Sequence, residues 1–571
     1  MRPRISIATD DQRNAIYALR HEVYAREIRQ HSENPERAIR DRLDDANLYI
    51  VATVGGALAG FVSITPPTAG SYSIEKYLRR EELPFRIDDR TYEVRILTVL
   101  PAFRGTTITL LLMYAALRWI EAHGGTRMIA MGRREVRSLY IQAGLFATGL
   151  EIRCGEVDFI VMTERVRTIR ERLDRFEALL DRMERAAEWE LIVAFRPPGE
   201  CFHGGAFFDA IGSEFDALDR RRQIINADVL DAWFPPSPAV LSALHDDLPW
   251  LVQTSPPLGA EGLVRTIARV RGVDASCILP GAGSSDLIYL ALREWLDRDS
   301  RALILEPMYG EYAHVLENVI RCRVDRFLLS RDRNYDVDLG RLAGRARLDY
   351  DVIVLVNPNS PTGRHIPRHD LERFLREVPE RTLVWIDETY IDYLGGGESL
   401  ERFATTRENV VICKSMSKVY ALSGARCAYL CVAPHLLERL RSITPPWAVG
   451  LTAQVAAVAA LRDASYYASR HRETHELRAE LCRALAPMPL RIVPSCANFV
   501  LCHIDDNGPR AAEIVAECRK EGLFIRDAST MGASLGDRAI RIAVKDRTTQ
   551  HRMTSVLQAA FSAKLTASTG G

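Results

Sequence analysis

One lysine at the end of an apolar run constrains this chain more than any other feature. Residues 409–412 predict a buried strand, and Lys418 follows six residues later. A second apolar run ends at Asp387, with Tyr390 three residues further on. Arg426 lies eight residues after Lys418. The sequence therefore predicts a lysine, a carboxylate, a phenol and a guanidinium group at neighbouring strand ends.

These four side chains match the chemical requirements of pyridoxal phosphate (PLP). A lysine amine forms a Schiff base with the aldehyde of this cofactor. A carboxylate beside the pyridine nitrogen keeps that nitrogen protonated, and the charged ring then acts as an electron sink. We therefore expect Lys418, Asp387 and Tyr390 to be the catalytic residues of a PLP site.

Length, charge and cysteine content narrow the class of protein. A chain of 571 residues is long enough for more than one domain. Lys plus Arg and Asp plus Glu both total 75, and this balance predicts no nucleic-acid partner. The 11 cysteines form neither a CxxC pair nor a Cys/His ligand group, so we expect no metal site and no disulfide framework.

Targeting and membrane signals are not predicted. The opening residues 1–13 lack the apolar core of a signal peptide. The longest apolar stretch, 108–120, is too short to span a bilayer and contains Arg118. We expect a cytoplasmic protein without a membrane partner, which also agrees with the cysteine pattern.

The first 165 residues alternate strand-like runs with helical patterns. A strand ending near residue 100 is followed by an Arg/Gly/Thr loop and a long apolar helix, which together form an anion site. This order resembles the GNAT acyltransferase family. The resemblance implies an acyl-CoA loop and a tyrosine that protonates the thiolate, with Glu93 where a general base lies. The implied acyl-CoA residues are Arg104, Gly105, Thr106, Thr107 and Tyr140.

The acyl-CoA loop departs from the family pattern at its two later small positions, which are Thr107 and Thr109. Bulkier residues hinder close approach of the backbone, although threonine hydroxyls can donate to phosphate. Two interpretations stay open for residues 1–165: an active acyltransferase domain, or a degenerate module with a structural or regulatory role.

Residues 166–204 predict a helical linker. Apolar residues recur at spacings of three and four between charged ones, which indicates a narrow seam that docks on a domain or pairs with its copy. The Gly/aromatic stretch 201–208 has no assigned mechanism, and His203 within it is expected to be structural.

From residue 205 to 571 strands and helices alternate, which predicts crossover connections, a mainly parallel sheet and a small subdomain from about residue 446. The loop at 280–286 opens a helix whose free N–H groups suit a phosphate. Tyr309, just past a strand, can cover one face of a flat ring. Such loops converge in the crevice of an open α/β sheet.

The loop motifs occur in a defined order: GAGSSD, PMYGEY, NPNSPTG, DETY, SMSK with Arg426, SCANF and a late Arg-Ile pair. The region resembles fold type I, class I/II aminotransferases, and most nearly the histidinol-phosphate aminotransferases and threonine-phosphate decarboxylases. The resemblance implies a homodimer and assigns Arg541 to the substrate carboxylate. The implied cofactor contacts are Ser284, Ser285, Tyr309, Ser360, Asp387, Tyr390, Ser415, Ser417, Lys418 and Arg426.

The expected fold is thus α/β throughout: a GNAT-like mixed domain, then a fold type I PLP-transferase with a small C-terminal α/β domain. The expected activity is an aminotransferase that interconverts an amino acid or amine and its 2-oxo partner, coupled by fusion to N-acylation. A PLP-dependent decarboxylase with a non-catalytic GNAT-like domain, and a non-catalytic PLP-binding protein, are the alternatives. Residues 254–257 contain no tyrosine, which puts a phosphorylated substrate in doubt.

Overall fold

The structure is a computed structural model that describes residues 2–142, 144–173, 176–196, 204–212, 215 and 217–568. The chain divides into two compact units, Met1–Pro198 and Gly199–Gly571. Each unit has its own hydrophobic core and is described separately below.

The first unit is built on one eight-stranded sheet with the strand order β6-β7-β5-β4-β3-β2-β1-β8. Its strands are β1 (Arg4–Ile7), β2 (Leu48–Val54), β3 (Ala57–Thr65), β4 (Thr91–Val99), β5 (Arg127–Arg133), β6 (Phe146–Cys154), β7 (Val157–Arg165) and β8 (Glu188–Trp189). Its helices are α1 (Asp10–Arg20), α2 (Ile108–Ala122), α3 (Arg137–Gln142), α4 (Val166–Leu173) and α5 (Glu177–Ala186).

Strands β4 and β5 form a short parallel ladder although both strands are longer. The ladder runs from Thr91 opposite Arg127 to Val94 opposite Ala130 and ends there. Just beyond it, Ile96 has a φ of +54°, a conformation that β-branched residues rarely adopt. Two long strands that stop pairing leave a gap between them, and this gap opens at the edge of the first unit's cavities.

The segment predicted as a linker is largely part of the first unit. Val166, Ile169, Leu180 and Met183 are buried in the core beneath α2, and β8 extends the sheet alongside β1. The apolar seam therefore docks on its own domain, because an apolar stripe this narrow is stable only when a neighbour covers it. The unit ends at Pro198 rather than at residue 165. His203 lies outside the described residues.

The second unit contains a seven-stranded sheet with the order β10-β16-β15-β14-β13-β11-β12. Strands β11 to β15 pair in parallel, and β16 is antiparallel to both of its neighbours. These strands are β10 (Ile278–Gly281), β11 (Arg301–Glu306), β12 (Arg323–Leu328), β13 (Val352–Val356), β14 (Leu383–Asp387), β15 (Val410–Ser415) and β16 (Ala428–Cys431). The expectation of a mainly parallel sheet is confirmed.

A five-stranded sheet with the order β17-β18-β20-β19-β9 forms the smaller part of this unit. Its strands are β9 (Ile225–Ala227), β17 (Leu490–Ile492), β18 (Phe499–Ile504), β19 (Leu523–Asp527) and β20 (Ala539–Ala543). Strand β9 comes from the start of the unit and pairs with β19. The small subdomain thus combines the chain after residue 446 with residues that precede the large sheet.

Helices cover both sheets of the second unit. They are α6 (Phe207–Ile211), α7 (Pro238–Gln253), α8 (Glu261–Arg271), α9 (Ser284–Trp295), α10 (Gly310–His314), α11 (Leu339–Ala346), α12 (Arg368–Glu377), α13 (Glu401–Ala404), α14 (Pro434–Ile443), α15 (Leu451–Arg462), α16 (Ala464–Leu485), α17 (Ala511–Lys520) and α18 (Arg547–Ser568). Because they shield both faces, the central strands are continuous apolar runs, and every residue of β13 is buried.

The register of the large sheet brings its functional loops together. Val356 at the end of β13 lies opposite Asp387 at the end of β14, and Asp387 lies opposite Cys413 near the end of β15. The carboxyl ends of these parallel strands therefore meet at one edge, where open α/β sheets bind their ligands.

Two features are absent from the described residues. None of their helices has both the length and the apolar character needed to cross a membrane. Their His, Cys, Asp and Glu side chains form no group of three that could hold a metal ion.

Candidate active site

The edge of the large sheet opens into a cavity of about 430 Å³. Its walls include Lys418, Tyr390, Tyr309, Ser360 and Arg541. These residues come from different loops and from both sheets of the unit. The fold therefore brings the predicted lysine and the predicted substrate arginine into one cavity.

Lys418 lies three residues after the end of β15, and its amine is held by a carboxylate. The Nζ atom lies 3.0 Å from Oδ1 of Asp231 and 3.5 Å from Oγ of Ser423. Burial lowers the pKa of Lys418, while the charge of Asp231 opposes that shift. The neutral amine is the nucleophilic and basic form. At a given pH, a larger fraction of Lys418 is therefore neutral than of a free lysine.

The neighbouring Lys414 has a different environment. Its Nζ lies 2.9 Å from Oδ1 of Asp392 and within 3.8 Å of carboxylate oxygens of Glu388 and Glu401, all of them buried. Burial raises the pKa of Glu388 to about 7, and the Lys414 charge opposes this rise. Lys414 is therefore the centre of a buried ion network and does not line the cavity.

Asp387 is buried and is held by three donors. Its Oδ2 accepts a hydrogen bond of 2.8 Å from Tyr312, and its Oδ1 accepts from the amide and hydroxyl of Thr389 at 2.9 and 2.6 Å. Burial raises the pKa of Asp387, whereas these hydrogen bonds oppose the rise. The carboxylate is thereby fixed in position at the end of β14.

Two tyrosines form part of the cavity wall. Tyr309 donates a hydrogen bond of 2.6 Å to Oε2 of Glu311, which also accepts one of 2.9 Å from the hydroxyl of Ser285. Tyr390 packs edge-on against Phe499, with the ring centres 5.3 Å apart. Burial raises the pKa of both phenols, so both remain protonated donors.

A backbone cradle lies at the start of α9. This helix begins at Ser284, and its first N–H groups point out of the helix end. Gly283 has a φ of +102°, and a Cβ atom there would collide with the guanidinium of Arg426. Ser415 and Ser417 are both buried at the end of β15. This close approach of backbone and guanidinium fits a bound phosphate group.

Arg541 is a buried cation whose hydrogen-bond partners are both uncharged. Its Nη1 donates to the hydroxyl of Ser360 at 3.2 Å, and its Nη2 donates to the carbonyl of Asp228 at 3.1 Å. Its Nε has no hydrogen-bond partner among the described residues. Burial lowers the pKa of Arg541 to about 10. An arginine in this state is well suited to bind a carboxylate.

A second arginine lies beside the first. Arg526 on β19 lies directly opposite Arg541 on β20 in the strand register. Arg526 also lines the cavity. Its Nε lies 3.4 Å from Oδ1 of Asp228, which is also buried. Two guanidinium groups on one wall favour an anionic ligand. Sequence reasoning missed Arg526, although an arginine inside the apolar strand β19 was a usable signal.

Asp231, Glu311 and Tyr312 were also missed. Glu311 and Tyr312 fall inside the motif PMYGEY, so their proximity to the predicted tyrosine was a signal. Nothing in the sequence links Asp231 to Lys418, since the two residues are 187 positions apart.

The first unit has its own cavity of about 610 Å³. Of the predicted acyl-CoA residues, Arg104, Gly105 and Tyr140 line it. Arg104 forms a double ion pair with Glu27, with N···O distances of 2.7 and 2.8 Å. Thr106 and Thr107 are not on its lining; they lie in the turn before α2, where Thr106 bonds the carbonyl of Phe103 at 2.6 Å.

Tyr140 and Glu93 differ in their surroundings. Burial raises the pKa of Tyr140 to about 12, so its phenol keeps its proton at neutral pH. Gly132 makes room for this ring, because a Cβ atom there would lie 2.5 Å from Cε2 of Tyr140. Glu93 does not line the cavity: its carboxylate accepts three hydrogen bonds from Ser73 and Ile74. Glu93 therefore fixes a loop and is not placed as a general base.

Comparison with known proteins agrees with this geometry. Residues 230–559 match the family described as aminotransferase class I and II, and residues 13–144 match the acetyltransferase (GNAT) family. Histidinol-phosphate aminotransferase 1 of Thiobacillus denitrificans is 32% identical over 330 residues, which cover 56% of this chain and 83% of the relative.

Solved structures share the fold of the second unit. A histidinol-phosphate aminotransferase from Sinorhizobium meliloti in complex with pyridoxal-5'-phosphate has a TM-score of 0.55 and 23% identity, and covers 64% of this chain and 99% of its own. L-threonine-O-3-phosphate decarboxylase from Porphyromonas gingivalis has a TM-score of 0.52 and 23% identity, and covers 59% and 99%.

The chain belongs to the class I and II aminotransferase family, and a GNAT acetyltransferase domain precedes the aminotransferase domain. It is therefore an enzyme of a PLP-dependent family. The unpaired Nε of Arg541, the cradle at Gly283 and the amine of Lys418 all fit this cofactor with its substrate.

Proposed function

We propose that the second unit is a PLP-dependent aminotransferase that exchanges an amino group between an amino acid and a 2-oxo acid. One observation supports this most strongly: Lys418 and Arg541 line the same cavity, beside Tyr309 and Tyr390. The first residue supplies an amine and the second a carboxylate receptor.

Each residue then has a defined task. Ser284, Ser285, Ser415, Ser417 and Arg426 would hold the cofactor phosphate. Bound PLP supplies a positively charged ring that withdraws electrons from the substrate α-carbon.

The remaining residues orient the ring and move the proton. Asp387 would hold the protonated pyridine nitrogen, Tyr309 would cover the ring, and Tyr390 with Ser360 would bind the ring oxygen. Lys418, with its lowered pKa, takes the α-proton and returns it. Arg541 binds the substrate carboxylate through a bidentate pair.

The nature of the substrate follows from the charges on the cavity wall. Arg526 beside Arg541 favours a substrate with a second acidic group in addition to the carboxylate. Relatives are named histidinol-phosphate aminotransferases, and histidinol phosphate carries its anion as a phosphate. Residues 254–257 provide no tyrosine for a phosphate. We therefore place amino acids with a carboxylate ahead of phosphorylated amines.

A direct assay tests the aminotransferase proposal. Purified protein loaded with PLP is mixed with single L-amino acids or with histidinol phosphate, and mass spectrometry identifies the products. A 2-oxo acid from an amino acid, or the corresponding ketone from histidinol phosphate, with the cofactor left in its amine form, supports transamination. An amine together with CO₂ supports the alternative, a decarboxylase. Neither product with any compound would contradict both.

We further propose that the first unit is an acyltransferase that uses acyl-CoA to acylate an amino group. The exposed Arg104 and the protonated Tyr140 on one cavity support this. Fusion of the two activities suggests that the amine formed by one unit is acylated by the other. Full-length protein given an amino donor, a 2-oxo acid and acyl-CoA should then yield an N-acyl amino acid. If the amino acid forms and is never acylated, the coupling is wrong.

We also propose that the enzyme is a homodimer, as the family resemblance implies. Support comes from apolar side chains of α7 that are about half exposed or more in the single chain: Leu241, Leu248, Trp250 and Val252. Light scattering of purified protein measures this directly, and a monomer at micromolar concentration would contradict it.

A further inference from the structure

A second cavity lies behind the first in the N-terminal unit. It encloses about 90 Å³. Five residues line both cavities and form the junction between them: Arg95, Ile96, Leu97, Met131 and Tyr140. The junction thus lies at the tyrosine that faces the leaving thiolate in the proposed acyltransferase.

The walls of this second cavity are almost entirely apolar. Beyond the junction they consist of aliphatic and methionine side chains together with Tyr114, among them Leu110, Met113, Leu117, Ile169 and Met183. The Tyr114 hydroxyl is already bonded to the carbonyl of Phe195 at 2.7 Å. Water is poorly stabilised in such a space, because it finds too few hydrogen-bond partners there. A hydrocarbon is the ligand chemistry that matches it.

The gap between β4 and β5 gives access to this space. The ladder between them ends at Val94 and Ala130, and the strained backbone of Ile96 follows at once, with a φ of +54°. Backbone strain of this kind persists where surrounding structure holds it, and it concentrates at ligand sites. The opening therefore leads from the acyl-CoA side directly into the apolar cavity.

We propose that the acyl group transferred by the N-terminal unit is an unbranched hydrocarbon chain of medium or greater length, and not acetyl. This inference rests on the proposed acyltransferase function and adds the class of acyl donor. An acetyl group would end at the junction and leave the second cavity unfilled. A longer chain extends through the gap and is buried among α2, α4 and α5.

The junction also suits the thioester carbonyl. Arg95 has a side chain that is 10% exposed, and its Nη2 lies 2.5 Å from Oδ2 of Asp41. Its Nη1 has no hydrogen-bond partner among the described residues. An unpaired buried donor at this point can stabilise the oxyanion that forms on the carbonyl oxygen.

The transfer step conserves atoms and electrons. The acceptor's amine nitrogen attacks the thioester carbonyl carbon, a C–N bond forms and the C–S bond breaks. The thiolate takes a proton from Tyr140. The acylated nitrogen loses one proton to solvent, and Tyr140 regains one from solvent.

Binding of chain-length homologues tests the inference without a known acceptor. Acetyl-CoA, octanoyl-CoA and dodecanoyl-CoA are each titrated into PLP-loaded full-length protein by calorimetry. Affinity should rise roughly ten-fold for every two buried methylene groups until the cavity is full. Equal affinity for all three compounds overturns the inference and leaves the acyltransferase proposal intact. Failure of every compound to bind, acetyl-CoA included, overturns the acyltransferase proposal itself.

Two variants that change the cavity in opposite directions sharpen the test. Ala130→Val narrows it and should shift the preferred chain length down, whereas Leu117→Ala widens it and should shift the preference up. Leu111→Ala is the matched control, since Leu111 is buried on the same helix but does not line the cavity. The control should keep the preference of the unmodified protein. If the preferred length moves in neither cavity variant, or moves equally in the control, the inference is wrong.

Discussion

Tyr312 donates a hydrogen bond of 2.8 Å to Oδ2 of Asp387, and the indole of Trp385 donates one of 2.8 Å to the Tyr312 oxygen. All three residues are buried. We call these two successive hydrogen bonds the relay. The relay polarises the Tyr312 phenol towards the carboxylate and so favours the charged form of Asp387, which burial alone would disfavour.

Removal of the phenol tests this relay. Tyr312→Phe should raise the pKa of Asp387 further, because one donor to the carboxylate is lost. The pyridine nitrogen is then less firmly protonated, and a hydrogen bond to a charged group is worth about 1.5–3 kcal/mol, so kcat should fall roughly 10- to 100-fold. Steady-state kinetics and a thermal melt measure the effect. Unchanged kcat in a folded variant would show that the relay plays no part in catalysis.

Substitution of Lys414, which lies in β15, and of Lys418, which follows this strand, should have different effects. Lys418→Ala should abolish turnover and the cofactor's visible absorption band, because the amine that bonds the aldehyde is gone. Lys414→Ala should retain the band, as it lies outside the cavity, but should lose about 3–5 kcal/mol of stability through uncompensated buried carboxylates. Absorption spectra and denaturant unfolding distinguish the two. Activity in Lys418→Ala would refute the mechanism.

Arg541 should determine affinity for carboxylate substrates. Arg541→Ala should weaken their binding by about 2–5 kcal/mol, since a buried charge pair loses one partner. Arg526→Ala serves as the comparison and should mainly affect substrates with a second acidic group. The readout is KM for a monocarboxylic and a dicarboxylic amino acid. Equal KM values in Arg541→Ala and the unmodified enzyme would show that Arg541 does not bind the substrate carboxylate.

Asp231 should set the pH range in which Lys418 is neutral. Its charge raises the pKa of Lys418 against the larger lowering by burial. Asp231→Asn removes that charge, so the pKa of Lys418 should fall further. Cofactor binding weakens as pH falls, because the amine becomes protonated. In the variant, this loss of binding should occur at a lower pH. Asp246→Asn, at an exposed site, is the control. Loss of binding at the same pH or at a higher pH would contradict the assignment.

Tyr140 should act as a proton donor over the whole neutral range. Burial raises the pKa of Tyr140 to about 12, so the phenol stays protonated at neutral pH. Titration of Tyr140 should therefore not change the acyl-transfer rate between about pH 6 and 9. Tyr140→Phe should slow acyl transfer about 10²- to 10⁴-fold. Release of free CoA thiol gives the rate. A Phe variant at full rate would show that the leaving thiolate takes its proton elsewhere.

The sequence determined the family, the fold and the local groups. Apolar runs that end in motif loops predict parallel strands, and the large sheet confirms this for the strand that ends at Asp387. The sheet places Lys418 after β15 in the same way. These features are local, because strand period, turn residues and helix starts depend on neighbours in the chain. The individual roles of the site residues remain predictions.

Tertiary structure alone decided the partners of these groups. Asp231 reaches Lys418 across 187 positions, and Tyr312 reaches Asp387 across 75. Strand β9 joins a sheet whose other strands lie more than 250 residues later. The apolar cavity of the first unit arises from strands that stop pairing and from helices that close over the gap. Such contacts depend on how whole helices and strands pack against one another. The local pattern of apolar and polar residues does not specify that packing.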